Sequence, residues 1–392
     1  MAEALQGVRV IDCSTVIAGP RIAMYLADFG ADVIKVEHPE RGDDARAFGF
    51  RKNGTSVYWK LVSRNKRHIT LDLSKAPDVA RKLFATADVL IENFRPGTLE
   101  RWGLAPDRLD PQLIVVRVTG FGQTGPYSGR PGFATLAEAM SGLASITGEP
   151  GGEPILPPIA LADEVTGLVG TWATMMALYH RDVHGASGQV IDLSLYESLI
   201  QLLGPLPMAW DQIRYLQPRM GSRIPYSAPR NTFRCRDGKW VALSASAQRV
   251  AMRVFDAIER PELKVDPRFA TFELRVKNVE ALDHAIAEWM SLHTQDEALK
   301  QFEVHDAALA PIYDVSEFMD DPHVAARGSI ATVDDPDWGP VRMQGVHPKF
   351  SQTPGRITST GPSEKGNDNA EVYGELGLGP DDLARLQRDG VI

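Results

Sequence analysis

VRVIDCSTVIAGPRIAMYLADFGADVIKVE, residues Val8–Glu37, reads as a strand, a helix and a second strand. Val8–Cys13 is a short apolar run of the kind a sheet buries on both faces. Pro20–Phe29 carries apolar residues at helical spacing and stops at Gly30. Pro20 suits the first turn of that helix, where its missing N–H would have had no partner anyway. Asp32–Glu37 is again a strand. Strands joined through helices pair in parallel, so this stretch opens a doubly wound α/β sheet.

The pattern continues. His68–Leu73, Asp88–Glu92 and Leu113–Val118 read as strands, with a helix at Asp78–Thr86. Ligands of such sheets gather outside the carboxyl ends of the strands. Those ends are Ser14–Pro20, Glu37–Arg46, Leu71–Lys75, Asn93–Gly97 and Thr119–Gly125. Gly and Pro crowd residues 126–160, with a short helix at Thr135–Leu143. Asp163 then opens a helix to about His180, followed by a strand at Gln189–Leu195 and a helix at Tyr196–Leu203. Pro205–Pro229 reads as a Pro-punctuated connection. A smaller α/β unit begins at Trp240–Ser244, with helices at Gln248–Ile258, Val279–Ser291 and Asp296–Phe302. The polar stretch Asp334–Asp368 leads back to a helical tail at Ala370–Ile392.

Composition narrows the function classes. The chain has 392 residues, 43% hydrophobic and 24% charged, with a net charge of −9, which argues against a nucleic-acid binder. Cys13 and Cys235 are too few for a disulfide framework or a cysteine-rich metal site. The nine histidines are read as offering no ligand spacing, so no metal is expected. No apolar run is long enough to span a membrane and no signal-like segment opens the chain. A soluble cytoplasmic protein is expected.

Three pieces carry chemistry. Ser14–Pro20 stands where a dinucleotide fold places its glycine fingerprint but holds one glycine, which excludes the usual nicotinamide or flavin site. Arg101, beside the strand-end turn Asn93–Gly97, together with Arg64, Lys66 and Arg67, suggests a polyphosphate site. Asp163 admits two readings. Aspartate is a favoured N-cap and gains from the helix dipole; a carboxylate kept ionised in that way could also be a nucleophile. Glu164 is the neighbouring candidate, and spacing does not choose between them. His180 and His184 are read as complementing the helix C-terminus.

In order along the chain, these pieces resemble the class III coenzyme A-transferase family, which includes formyl-CoA transferase, carnitine CoA-transferase and the 2-methylacyl-CoA racemases. The resemblance rests on Val16–Pro20 with Leu26–Glu37, on Asn65-Lys66-Arg67 with Leu71-Asp72-Leu73, and on Asp88–Arg101. Gly120–Pro126, Ala162-Asp163 with Thr166-Gly167, and Asp321-Pro322-His323 with Ala326-Arg327-Gly328 extend it.

The resemblance implies a Rossmann-like large domain over residues 1–204, completed by 350–392, and a smaller inserted α/β domain over 225–333. Linkers would be 205–224 and 334–349, and two chains would interlock as a ring-like homodimer. It implies Asp163 as nucleophile and coenzyme A against Val16, Ile17, Ala18, His38, Leu71, Asp72, Leu73, Ser74, Asn93, Phe94, Arg95 and Arg101. Coenzyme A and acyl-CoA enter as substrates, with a small carboxylic acid as acceptor and no prosthetic group. Coenzyme A would pass from donor to acid through an aspartyl anhydride and an aspartyl-CoA thioester. Racemase or isomerase activity is the alternative. It is disfavoured because the racemase Gly-His-Asp pattern is Gly132-Phe133-Ala134 here, without a proton carrier. Ser244-Ala245-Ser246-Ala247-Gln248 stands in place of the glycine-rich lid of formyl-CoA transferase, which implies a different lid or a larger acyl group.

Overall fold

Six strands form one sheet: β1 (Arg9–Asp12), β2 (Asp32–Glu37), β3 (Lys66–Thr70), β4 (Val89–Glu92), β5 (Ile114–Thr119) and β6 (Val190–Ser194). Their order is β3-β2-β1-β4-β5-β6, with every neighbouring pair parallel. The structure, a computed structural model, describes residues 3–392. The strand order reverses between β1 and β4, and that is where an open α/β sheet leaves a crevice for a ligand.

Side-chain alternation sends each strand into two cores. Val10, Val33, Val89 and Ile91 pack on one face with α1 (Ala18–Asp28), while Ile11, Ile34 and Leu90 pack on the other. That second face is covered by α3 (Pro77–Phe84) and by the C-terminal helices Asn369–Glu375 and Pro380–Arg388; α2 (Val57–Val62) lies between β2 and β3 in the chain. Tyr373 Oη donates to the Thr70 carbonyl at 2.6 Å, which fastens the tail to edge strand β3. α4 (Ala134–Met140) and the long α5 (Leu161–His184) join α1 on the first face.

The expected elements reappear with particular shifts. α1 ends as anticipated, because Gly30 takes φ +97° and lets Gly30 and Ala31 N–H close the helix onto Ala27 and Leu26. The strand placed at His68–Leu73 lies at Lys66–Thr70, since its polar first half pairs with β2 from Val33 onward. The connection 205–229 contains a helix, Leu206–Ile213, that its prolines concealed. The polar stretch after Asp334 belongs in part to a hairpin, Ile330–Asp335 with Gly339–Gln344. Its turn is built by Asp335 accepting from Asp337 and Trp338 N–H.

The chain divides into two compact units: residues 3–144 with Leu156–Pro205 and His323–Ile392, and Ser145–Ile155 with Leu206–Pro322. The second has its own antiparallel sheet of Leu309–Pro311, Trp240–Ser244 and Arg230–Arg234. Its core gathers Phe233, Val241, Phe255, Ile286 and Phe302. Among the described residues no helix is long and apolar enough to cross a membrane.

Candidate active site

α5 begins two residues before Asp163, so Asp163 does not cap it. The N-cap position is Ala160, which offers no side-chain acceptor. The cap comes from another element: Glu138 of α4 is buried and accepts from Ala162 N–H at 3.2 Å. Relieved of that task, the Asp163 carboxylate makes no hydrogen bond among the described residues. It faces a cavity of about 940 Å³.

Glu164 is spent elsewhere. One of its oxygens accepts from Tyr58 Oη at 2.5 Å and the other pairs with Arg21 Nε at 2.7 Å. Of the two adjacent acids, Asp163 alone lacks a partner. Burial pushes the Asp163 carboxyl up to about 7, and the negative charges of Glu164 and Glu138 push the same way. The sequence reading anticipated a carboxylate held firmly ionised by its helix. The structure corrects this: Asp163 lies beyond the cap position, and the loss of water together with two nearby acids tightens its hold on a proton. The resulting group titrates near neutrality, where a general base or nucleophile is most effective.

The rest of this cavity is largely apolar. Phe48, Phe50, Phe133, Leu156, Ile159 and Val341 line it, together with Val16, Ile17 and the charged residues Arg21, Lys60 and Arg342. Lys60 is buried and paired to Asp335 at 2.7 Å and Asp337 at 2.5 Å. Phe133 and Ala134 stand where the racemase pattern has an imidazole and an acid, and no histidine lines this cavity.

A second cavity, about 400 Å³, opens at the carboxyl ends of β1, β2, β3 and β4. His38, Leu71, Asp72, Leu73, Ser74, Phe94 and Arg95 all line it. Asp72 shapes its wall by accepting from Ser74 N–H (3.0 Å) and Ser74 Oγ (2.6 Å). His38 Nε2 stands 3.5 Å from Asp72, while burial and the nearby Arg41 lower its affinity for a proton. Phe94 packs edge-on against Trp102, ring centres 5.1 Å apart.

Three expected contacts fall outside both cavities. Ala18 is buried in the core beneath α1. Asn93 uses its whole amide on Thr15, accepting from its N–H (2.9 Å) and donating to its carbonyl (2.8 Å). Arg101 is exposed and donates to Thr98 Oγ1 at 2.8 Å.

The basic cluster does not form a phosphate site. Arg64 is buried and forked onto Asp28. Lys66 reaches Asp12 at 2.8 Å, and Arg67 pairs with Asp32, Glu371 and Glu375. Lys66 and Arg67 begin β3, and carboxylates of the fold already meet both charges. The unpaired cations at the smaller cavity are Arg41 and Arg95. Both are exposed, and neither guanidinium has a hydrogen-bond or ion-pair partner among the described residues. Arg41 was legible only as one more residue of the turn after β2. Glu138 was missed altogether, because an acid in a short amphipathic helix ordinarily faces water.

His180 and His184 do form an i, i+4 pair, which corrects the reading of the histidines; their rings lie 5.7 Å apart on α5. No cluster of three or more ligand side chains that could hold a metal exists among the described residues.

Residues 5–369 match the family described as CoA-transferase family III. The chain is 39% identical to the succinyl-CoA–D-citramalate CoA-transferase of Chloroflexus aurantiacus, covering 99% of this chain and 98% of that protein. It is 41% identical to the beta subunit of succinyl-CoA–L-malate CoA-transferase from the same organism, over 99% and 98%. A crystal structure of a CaiB/BaiF family protein from Brucella suis superimposes with a TM-score of 0.83 at 33% identity, covering 96% of this chain and 100% of that one.

Proposed function

The chain belongs to CoA-transferase family III, and from that premise we propose that it moves coenzyme A from an acyl-CoA donor to a carboxylic acid through covalent intermediates on Asp163. The observation that carries this reading is the Asp163 carboxylate, unpartnered beside Glu164 and facing the larger cavity.

Asp163 Oδ attacks the thioester carbonyl, forming a mixed anhydride as the C–S bond breaks and the electron pair leaves on the coenzyme A thiolate. The thiolate then attacks the aspartyl carbonyl, giving an aspartyl-CoA thioester and releasing the donor acid as its carboxylate. An acceptor carboxylate repeats both steps in reverse. Each step exchanges one acyl bond for another, so no water or redox partner is consumed. Water must be kept from the anhydride, and the apolar walls of Phe48, Phe133 and Ile159 serve that need.

In this reading the nucleotide part of coenzyme A occupies the smaller cavity against Leu71–Ser74, His38 and Phe94, with Arg41 and Arg95 as the cations for its phosphates. The acyl end reaches the larger cavity past Val16 and Ile17. Succinyl-CoA, named for both Chloroflexus relatives, is the first donor to test, with hydroxylated dicarboxylic acids as acceptors. Two copies of the chain form the working unit.

The test is chemical trapping. Incubation with succinyl-CoA and then hydroxylamine converts Asp163 into its hydroxamate, located by peptide mass mapping. A map with Asp163 unmodified in protein that turns over succinyl-CoA removes the covalent mechanism.

A further inference from the structure

The turn between β1 and α1 has its backbone polar groups held by side chains from elsewhere. Ser14 N–H donates to Asp12 Oδ1 at 3.1 Å, and the Ser14 carbonyl accepts from the Lys35 ammonium. Thr15 is held at both N–H and carbonyl by Asn93. Val16 N–H donates at 3.0 Å to Asp43 Oδ1, which also accepts from Ala45 N–H at 2.8 Å. The other Asp43 oxygen lies 2.7 Å from Lys35 Nζ, and both side chains are buried.

Within this web Val16 has φ +68°. That is the left-handed region, which a β-branched residue enters only when its surroundings impose it. The kink has a spatial consequence. Thr15 lines the 400 Å³ cavity, whereas Val16 and Ile17 line the 940 Å³ cavity. Successive residues therefore wall different cavities, and a ligand reaching from one to the other crosses this turn.

We infer that Asp43, anchored by Lys35, is a positioning residue that holds Val16 in its left-handed turn and so shapes the threshold over which coenzyme A reaches Asp163. The inference rests on the functional reading above. A carboxylate suits the task because its two oxygens serve two clients at once, the Val16 and Ala45 amides on one side and the Lys35 ammonium on the other. Both amides fall on one oxygen, so asparagine could still hold Val16, and only a side chain without an acceptor, as in Asp43→Ala, releases it. Glycine at position 16 needs no such brace, since it enters the left-handed region freely.

The experiment is calorimetric titration with coenzyme A itself. Asp43→Ala weakens binding by about tenfold or more, the ratio corresponding to backbone strain left unopposed. The double variant Asp43→Ala/Val16→Gly recovers to within about threefold of the unaltered protein, since glycine removes the need for the brace. A general structural role for Asp43 predicts no such rescue. Unchanged binding in Asp43→Ala overturns the inference, and so does a double variant that binds no better than the single one. If Asp43→Ala alone is insoluble, the double variant folds and binds, and its failure to fold is equally fatal. Unaltered protein that binds no coenzyme A removes this inference together with the functional reading, whereas tight binding with an insensitive Asp43 removes the inference alone.

Discussion

Asp163 titrates near neutrality, and this has two measurable consequences. A nucleophilic carboxylate must be ionised, so kcat/KM for acyl-CoA rises with pH through about 7 and falls away below it. Stability runs the opposite way. The folded value of about 7 lies above the ordinary 3.8, so the folded chain holds this proton more tightly than the unfolded chain. Ionisation therefore weakens the fold, a cost that begins near the ordinary value and is complete above the folded one. Asp163→Asn should be more stable than the unaltered protein at about pH 8, by ~1–2 kcal/mol after screening of a half-buried group, and equal to it near about pH 4. Denaturation at the two pH values measures this. Glu138→Gln keeps an acceptor for Ala162 N–H but removes a negative charge beside Asp163, so the rate profile moves down by about half a pH unit or more. Arg41→Ala and Arg95→Ala each raise KM for acyl-CoA by roughly 5- to 30-fold with kcat little changed, and the effect shrinks in high salt.

At the level of elements, Asp163 is placed by the packing of α5 on α1. That packing depends on the absence of a side chain at Gly170, where a Cβ would collide with Ile22 of α1 and Leu193 of β6. Gly170→Ala should cost about 1–3 kcal/mol by overpacking, read as a lowered melting temperature, and should lower kcat by shifting Asp163. Element types were largely legible because apolar periodicity differs between buried strands and amphipathic helices. The Ile330–Gln344 hairpin was not. Its strands are short and polar, with Val333, Asp335 and Met343 facing inward, and a buried aspartate looks like loop chemistry until Lys60 is seen to pair with it. Arg230–Arg234 escaped for the same reason, as its sequence is mostly polar.

At the scale of the whole molecule, an exposed apolar surface on α5 bears on assembly. Leu168, Trp172, Met176, Tyr179 and Val183 form an exposed apolar stripe along α5, on the side turned away from α1. A stripe of this kind is costly in water and is the natural place for a second copy to pack. Light scattering should give twice the chain mass of 43.0 kDa, and Trp172→Glu with Met176→Glu should shift the population toward monomer. A single-chain mass for the unaltered protein would count against the paired arrangement.

The order of apolar and polar residues along the chain determined the parallel sheet, the ligand edge at its strand ends and the candidacy of Asp163. These are local or periodic properties, set by which residues can be buried in which element. Tertiary structure alone decided that Asp163 is free while Glu164 is bound, and that Arg64, Lys66 and Arg67 are consumed by internal pairs. It alone showed that Glu138 caps the helix of Asp163 from twenty-four residues away. Partner choice and desolvation are set by what the fold brings within a few ångströms, and charged side chains of the same type read alike in sequence whatever they will meet.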